Sequence, residues 1–267
     1  MSSTKNIVKV MNFHSLIRVD KAKKRASKYN EVEKELTRNL AALLNNKNLK
    51  LDKKMLLENP NGEVLNIYIG NDLGFCGNFN HQLQTAISQD KDSYKIIIGK
   101  KIKHVKDQND KILLSFNKEE FNTEYPKINE IISDYIKDKK AKEINVVFNN
   151  YHSVSSITFD KIRLFPLEIK EEDLQGVNTN IDYVIETDVN ELISSIIVLS
   201  ICYRIKIFES NSHASENVMR ERVTRESLKK IEEMETEQIK EERKQKKQKA
   251  FKKQISNYRI LKGWCKW

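Results

Sequence analysis

Residues 188–259 read DVNELISSIIVLSICYRIKIFESNSHASENVMRERVTRESLKKIEEMETEQIKEERKQKKQKAFKKQISNYR, without one glycine or proline. No glycine occurs between Gly176 and Gly263, and no proline after Pro166. With no breaker to stop it, the stretch predicts a single helix on the order of 100 Å long at 1.5 Å per residue. Such a helix is too long for a compact domain and must project. Its first third, LISSIIVLSICYRIKIF, is apolar on most faces and predicts burial against a neighbouring domain. Further on, KKIEEMETEQIKEERKQKKQK is charged nearly all round, with Leu228, Ile231, Met234 and Ile239 as a thin seam. So narrow a stripe requires a coiled-coil partner or an enclosing protein.

The partner is found at the other end of the chain. No glycine or proline precedes Pro60. Ala22, Ala26, Tyr29, Leu36, Leu40 and Leu43 step by threes and fours, with Val32 or Glu33 in the gap. This is a helical seam, and Asn45, Asn46 and Asn48 end it. The middle of the chain changes period. LNIYIG, YKIIIG and EINVVFNN are short β-branched runs closed by Gly or Asn. Helical stretches at 80–88, 100–106 and 125–139 lie between or beside them. SITFDKIRLFPLEI reads as a further strand, antiparallel at an edge, and EEDLQGVNTN as a polar loop. Alternating strand and helix predict a mainly parallel sheet. The fold class is α/β: a long antiparallel two-helix coiled coil from the N- and C-termini, with a Rossmann-like βαβ middle domain. The expected division is an N-terminal shaft helix at 1–56, an α/β domain at 57–186, and a C-terminal shaft helix and tail at 187–267.

The composition agrees with much exposed helix: 39% hydrophobic, 32% charged, only seven Gly and three Pro in 267 residues. The net charge of +10 fits a solvated basic face, an acidic protein partner or a nucleic-acid partner. Cys76, Cys202 and Cys265 are widely spaced and stand apart from the five His, so neither a disulfide framework nor a zinc site is expected. The N-terminus lacks a signal-peptide pattern, and the longest near-apolar run, 193–203, is shorter than the roughly 20 residues that cross a bilayer. A reducing, cytoplasmic location is expected, peripheral to the inner face of the membrane.

GNDLGFCGNFN follows a strand and precedes a helix, the position of a phosphate loop. Its glycines, Gly70, Gly74 and Gly77, match neither the dinucleotide nor the P-loop spacing, and no Lys follows. The reading favoured is a tight turn with positive φ at Gly74 and Gly77. The chain is accordingly expected neither to bind nor to hydrolyse ATP. Cys76 lies near a helix N-terminus, which could lower its pKa, but a packed thiol is expected. Asp72, Asp160 and Asp188 form no paired-carboxylate pattern, and His152 and His213 read as surface or hydrogen-bonded. No catalytic, cofactor-binding or metal-ligating residue is predicted. EERKQKKQKAFKK could hold phosphates unspecifically but lacks interleaved aromatics.

NIYIGNDLGFCGNFNHQL nevertheless resembles the strand and S-D-R-G-L-C-G-G-F-N signature of F-type ATP synthase gamma subunits, with Asp72, Gly74, Cys76, Gly77, Phe79 and Asn80 at matching places. IIIGKKIKHVKDQN is similar to the next strand and its turn, and INVVFNNYHSVSSITFDKIRLFPLE to the strand hairpin. Tyr203, Arg204, Glu209, Ser210, Ser215, Glu216 and Arg220 match the Y-R-A-x-x-E-S-x-x-S-E-x-x-x-R of the C-terminal helix. These blocks keep the family order over most of residues 60–230. Ala26, Ser27 and Lys28 match near the N-terminus. Gln248, Ala250, Phe251, Ile255 and Ile260 match near the C-terminus. Asn71, Leu73, Phe75, Asn78 and the terminal GWCKW depart from the pattern.

The resemblance implies a non-catalytic rotor shaft in a hexameric ring of alpha- and beta-like ATPase subunits. It implies that Lys247, Gln248, Phe251 and Ile255 touch the ring. Asp72, Gly74, Cys76, Gly77 and Asn80 then form a structural signature loop. An epsilon-like subunit or another protein is expected at the foot of the shaft, with no nucleic acid and no cofactor. The divergent ends lean toward a specialised motor such as gliding machinery. The competing readings are a coiled-coil nucleic-acid-binding protein with an α/β domain, and an α/β enzyme with a helical arm.

Overall fold

The computed structural model describes residues 2–46, 49, 56–102, 111–167 and 186–264. Two helices dominate it, α1 at Ser2–Asn45 and α4 at Val189–Trp264. Asp188 starts α4 because its Oδ1 accepts hydrogen bonds from the backbone N–H groups of Asn190 (2.9 Å) and Glu191 (3.0 Å). Asn45 closes α1, its side-chain amide turned back to the Ala41 carbonyl at 2.9 Å.

Between them lie β1 (Glu63–Ile69), α2 (His81–Gln89), β2 (Tyr94–Ile98), β3 (Ile112–Phe116), α3 (Phe121–Lys137), β4 (Ala141–Tyr151) and β5 (Ile157–Phe165). The sheet order is β3-β2-β1-β4-β5. The first three pairings are parallel, and β5 runs antiparallel at the edge. The sequence runs 65–70, 94–99 and 143–150 therefore fall on β1, β2 and β4. The antiparallel edge reading of 157–165 holds. β3 was not anticipated. Helix α3 begins at Phe121 and not at Tyr125, because a 3-10 turn at Lys118–Glu120 with an Asn117/Glu120 capping box launches it ahead of Pro126. The short helix expected at 100–106 and the polar loop expected at 171–180 lie mainly or wholly outside the described residues.

The chain divides into two compact units, 2–14 with 221–264 and 15–220. In the larger unit, alternation along the strands sorts the sheet into two faces. Leu65, Ile67 and Ile69 of β1, Ile96 and Ile98 of β2, and Val146 and Phe148 of β4 point one way. They pack with Ile128 and Ile132 of α3, Ile197, Ile201 and Ile205 of α4, and Leu40 of α1. Each such buried side chain contributes on the order of 1.5–3 kcal/mol. The apolar first third of α4 is thus core, as its composition requires. Tyr68, Ile97 and Val147 point the other way and are covered by Leu83 and Ile87 of α2.

Helices α1 and α4 pair antiparallel within this unit. Arg25 faces Glu209 at 3.6 Å, Tyr29 meets Tyr203 edge-on at 6.2 Å, and Glu33 receives Ser200 Oγ at 3.3 Å and lies 4.0 Å from Arg204. Glu33, not Val32, fills the gap in the seam; Val32 is exposed. Lys206 extends over the rings of Tyr125 (3.8 Å to the centroid), Tyr203 (5.0 Å) and Tyr29 (5.7 Å), tying α4 to α3 and α1 through cation–π contacts.

The smaller unit repeats the antiparallel pairing by itself. Lys5 Nζ lies 2.7 Å from Glu235 Oε2 and 3.5 Å from Glu232 Oε1. Asn12 Nδ2 donates to Thr224 Oγ1 and to the Glu221 carbonyl, both at 3.0 Å. The thin seam is only partly as expected. Leu228 and Ile231 are half-buried, but Met234 and Ile239 are exposed at 51% and 49%. Glu235, one turn beyond Ile231 on the same face, takes the inward place because Lys5 stands opposite it.

Candidate functional site

The loop that follows β1 is held by its own polar side chains. Asn80 Oδ1 accepts from the Asn71 backbone N–H at 3.2 Å, and the Asn80 amide also bonds the Asn71 side chain. Asn149 of β4 donates to the Phe79 carbonyl at 2.9 Å. Gly99, at φ +132°, ends β2 so close to β1 that a Cβ there would stand 3.0 Å from the Gly70 carbonyl carbon. Gly77 has the positive φ expected of it, 57°. Gly74 does not: the left-handed residue is Phe75, at φ 61°, and Gly74 faces open space. The turn reading was right, but its pivot is displaced by one residue onto a side chain that projects into solvent. Cys76 is buried, its Sγ 3.5 Å from the Leu73 and Gly74 carbonyls, and burial pushes its pKa up to about 11. It is a packed thiol.

Asp72 joins three parts of the sheet's carboxyl edge. Its two oxygens accept the backbone N–H groups of Lys100 (2.6 Å) and Lys118 (2.8 Å), which follow β2 and β3. This fixes the direction of the next two amides. The N–H groups of Asp72 and Leu73 both donate to Glu216 Oε1 of α4, at 3.0 and 2.7 Å. Lys118 Nζ lies 3.0 Å from Glu216 Oε2. The pair is shut from water, with side-chain exposures of 6% for Lys118 and 0% for Glu216. Ser212, one turn earlier on α4, lies 3.4 Å from Lys118 Nζ and 3.5 Å from the last β1 carbonyl, that of Ile69. The edge where open α/β sheets bind their ligands is therefore plugged by α4.

A second buried carboxylate, Glu209, stands two turns before Glu216. Burial raises its pKa, while Lys118 and Arg25 oppose that shift. His213 lies between them in sequence, 3.4 Å from Arg25. Burial, with Lys118, Arg25 and Arg18 around it, pushes its pKa down to about 3, so it is neutral near pH 7. His152 bonds Thr158 at 2.8 Å. Glu209 and Glu216 were legible only through their family match; no paired-carboxylate spacing announced them.

A groove of about 780 Å³ opens on the α2 face of the sheet. Its central carboxylate, Asp90, accepts from Asn66 Nδ2 (2.7 Å), Tyr68 OH (2.6 Å) and Ser93 Oγ. That oxygen is committed to structure and not to a reaction. Among the described residues no group of His, Cys, Asp and Glu could hold a metal ion, and no helix is long and apolar enough to cross a membrane.

The four residues expected at the ring contact lie along α4 in the smaller unit. Lys247, Phe251 and Ile255 recur at every fourth position and share one face, beside Gln248. All four are exposed, Phe251 at 63% and Ile255 at 38%.

The ATP synthase family model matches residues 1–257. The ATP synthase gamma chain of Clostridium perfringens is 24% identical over 235 residues, covering 82% of this chain and 79% of that one. Among solved structures, the fold is similar to a chain of the Tetrahymena thermophila mitochondrial ATP synthase central stalk and c-ring. There the TM-score is 0.56, at 14% identity, over 83% of this chain and 99% of the other. It is also similar to a chain of the Euglena gracilis mitochondrial ATP synthase OSCP/F1/c-ring assembly, with TM-score 0.52, 12% identity, and coverage of 100% and 97%. With residues 1–257 matched by the family model, the chain belongs to the ATP synthase family as a gamma-type chain.

Proposed function

We propose that this chain is the central rotor shaft of a rotary F-type-like ATPase, a non-catalytic subunit that couples ATP turnover in an alpha/beta hexamer to rotation. The observation that carries the reading is the antiparallel pairing of two breaker-free terminal helices, α1 and α4, with the α/β domain bolted to α4 through Asp72, Lys118 and Glu216. A shaft must turn as one body with the domain it carries, and a buried, hydrogen-bonded ion pair resists slippage better than apolar contact alone. Its bearing surface must form and break contacts in every turn. Exposed charges worth about 0–1 kcal/mol per pair meet that need. The proposed ring contacts are Lys247, Gln248, Phe251 and Ile255. The proposed location is peripheral to the inner face of the membrane, with an epsilon-like subunit or another protein at the foot of the shaft.

The finer reading, a specialised motor such as gliding machinery, rests only on the departures at Asn71, Leu73, Phe75, Asn78 and the terminal GWCKW. The proteins that accompany the chain decide it. The test is purification of the tagged full chain from its native cells. Stoichiometric nucleotide-binding alpha- and beta-like subunits are expected. Recovery of RNA or DNA without such subunits would overturn the rotor reading in favour of a nucleic-acid-binding coiled coil. By calorimetry the isolated chain is expected to give no heat of ATP binding at micromolar concentration, and binding abolished by Gly77→Ala would contradict this.

A further inference from the structure

In open α/β sheets, anionic ligands sit beyond the carboxyl ends of the strands, near the point where the strand order reverses, held by backbone N–H groups of the loop after the first strand. In this sheet the reversal lies at β1, between β2 and β4. The loop after β1 does present two successive N–H groups to one point, at Asp72 and Leu73, and both are filled by Glu216 Oε1. Lys118 Nζ completes the seat 3.0 Å from Oε2. Asp72 is turned away by its own bonds to the Lys100 and Lys118 amides, so its charge does not occupy the seat. The other buried carboxylate of α4 described above, Glu209, faces Arg25 at 3.6 Å. Donors, cation and exclusion of water are all those of an oxyanion site, and the oxyanion is a side chain of the same molecule.

We propose that the loop after β1, together with Lys118, is an oxyanion-binding site whose resident ligand is the chain's own Glu216 carboxylate. A small free oxyanion, carboxylate or phosphate, takes the same seat once that side chain is cut back. The resident carboxylate both fastens α4 to the sheet and denies the seat to nucleotide phosphates. The inference rests on geometry within residues 15–220 and is independent of the rotor reading.

Glu216→Ala removes a CH₂–COO⁻ group, whose heavy atoms are those of acetate. The experiment follows thermal unfolding of the full chain and of this variant in sodium acetate, sodium phosphate and sodium chloride at matched ionic strength. In chloride the variant should melt on the order of 10 °C below the parent, as expected for loss of one partner of a buried pair. Acetate should restore the midpoint saturably. Chloride should not, and phosphate should restore it saturably as acetate does. Glu216→Gln, which keeps the seat filled, should show no acetate effect, and Glu216→Ala with Lys118→Met should lose it. Equal shifts in acetate and chloride, or an acetate effect as large in the parent and Glu216→Gln, would overturn the proposal. If Glu216→Ala does not fold in chloride, refolding yield is compared in the two salts: recovery in acetate supports the site, and equal failure in both overturns it.

Discussion

Asn12 of α1 donates its side-chain amide to Thr224 Oγ1 and to the Glu221 carbonyl of α4, both at 3.0 Å. One amide thereby reads two positions on the opposing helix. A polar residue inside a helical seam sets register, since sliding by one turn would strand its donors. The neighbouring Lys5–Glu235 contact at 2.7 Å fits the same register. Zero-length carbodiimide coupling should therefore join Lys5 to Glu235 or Glu232 within one chain, as read by mass spectrometry of the digest. Asn12→Leu should broaden the set of coupled positions. Coupling found only between chains would contradict the antiparallel pairing.

Lys118 Nζ lies 3.0 Å from Glu216 Oε2 in a pair shut from water. Lys118→Met would take the ammonium partner away from a buried carboxylate. A loss of about 3–5 kcal/mol is expected in chemical denaturation. Lys127→Met, at an exposed pair with Glu124, should change stability by less than about 1 kcal/mol. Similar effects of the two substitutions would show that the latch carries no special weight.

The pH dependence follows from His213. Its folded pKa, about 3, lies below the unfolded value near 6.5. The unfolded chain thus binds the proton first, and the His213 contribution to stability is present above about pH 6.5 and lost as pH falls toward 3. Glu209, whose pKa is raised by burial, acts in the opposite sense: its contribution is full below the usual Glu range and is lost as pH rises through its folded pKa. Comparing the parent with His213→Asn isolates the histidine. The variant should lose less stability between pH 6.5 and 4 than the parent, measured by urea midpoints. A parallel decline in the two proteins would contradict the neutral state of His213.

The long-range order of the fold was legible where the chain repeats a simple instruction. Absence of Gly and Pro over 188–259 announced α4, and short β-branched runs closed by Gly or Asn announced β1, β2 and β4. Strand β3 escaped because ILLSF is short and half-exposed at the sheet's edge, so neither alternation nor a solid apolar run marks it. Helix α3 starts at Phe121, ahead of the expected Tyr125, because the capping box that launches it uses Asn117 and Glu120. Val32 and Glu33 could not be separated by spacing alone; the presence of Arg204 and Ser200 opposite decided for the charged residue. The latch was hidden for a deeper reason. Lys118 and Glu216 are 98 residues apart, and only the folded sheet edge brings them together. Glu209 and Glu216 stood out only by their match to the family's C-terminal helix.

The exposed end of α4 is proposed above as a bearing surface for an ATPase ring. The most direct measurement compares the full chain with one ended before Lys247, expressed with its native complex. The shortened chain should keep its folded α/β domain, whose core closes upstream, but be lost from the ring and lower coupled ATPase activity. RNA binding, measured at about 150 mM salt where unspecific phosphate contacts are weakened, should be negligible in both. Unchanged complex formation and ATPase activity, with RNA binding present in the full chain and abolished in the shortened one, would contradict the rotor shaft.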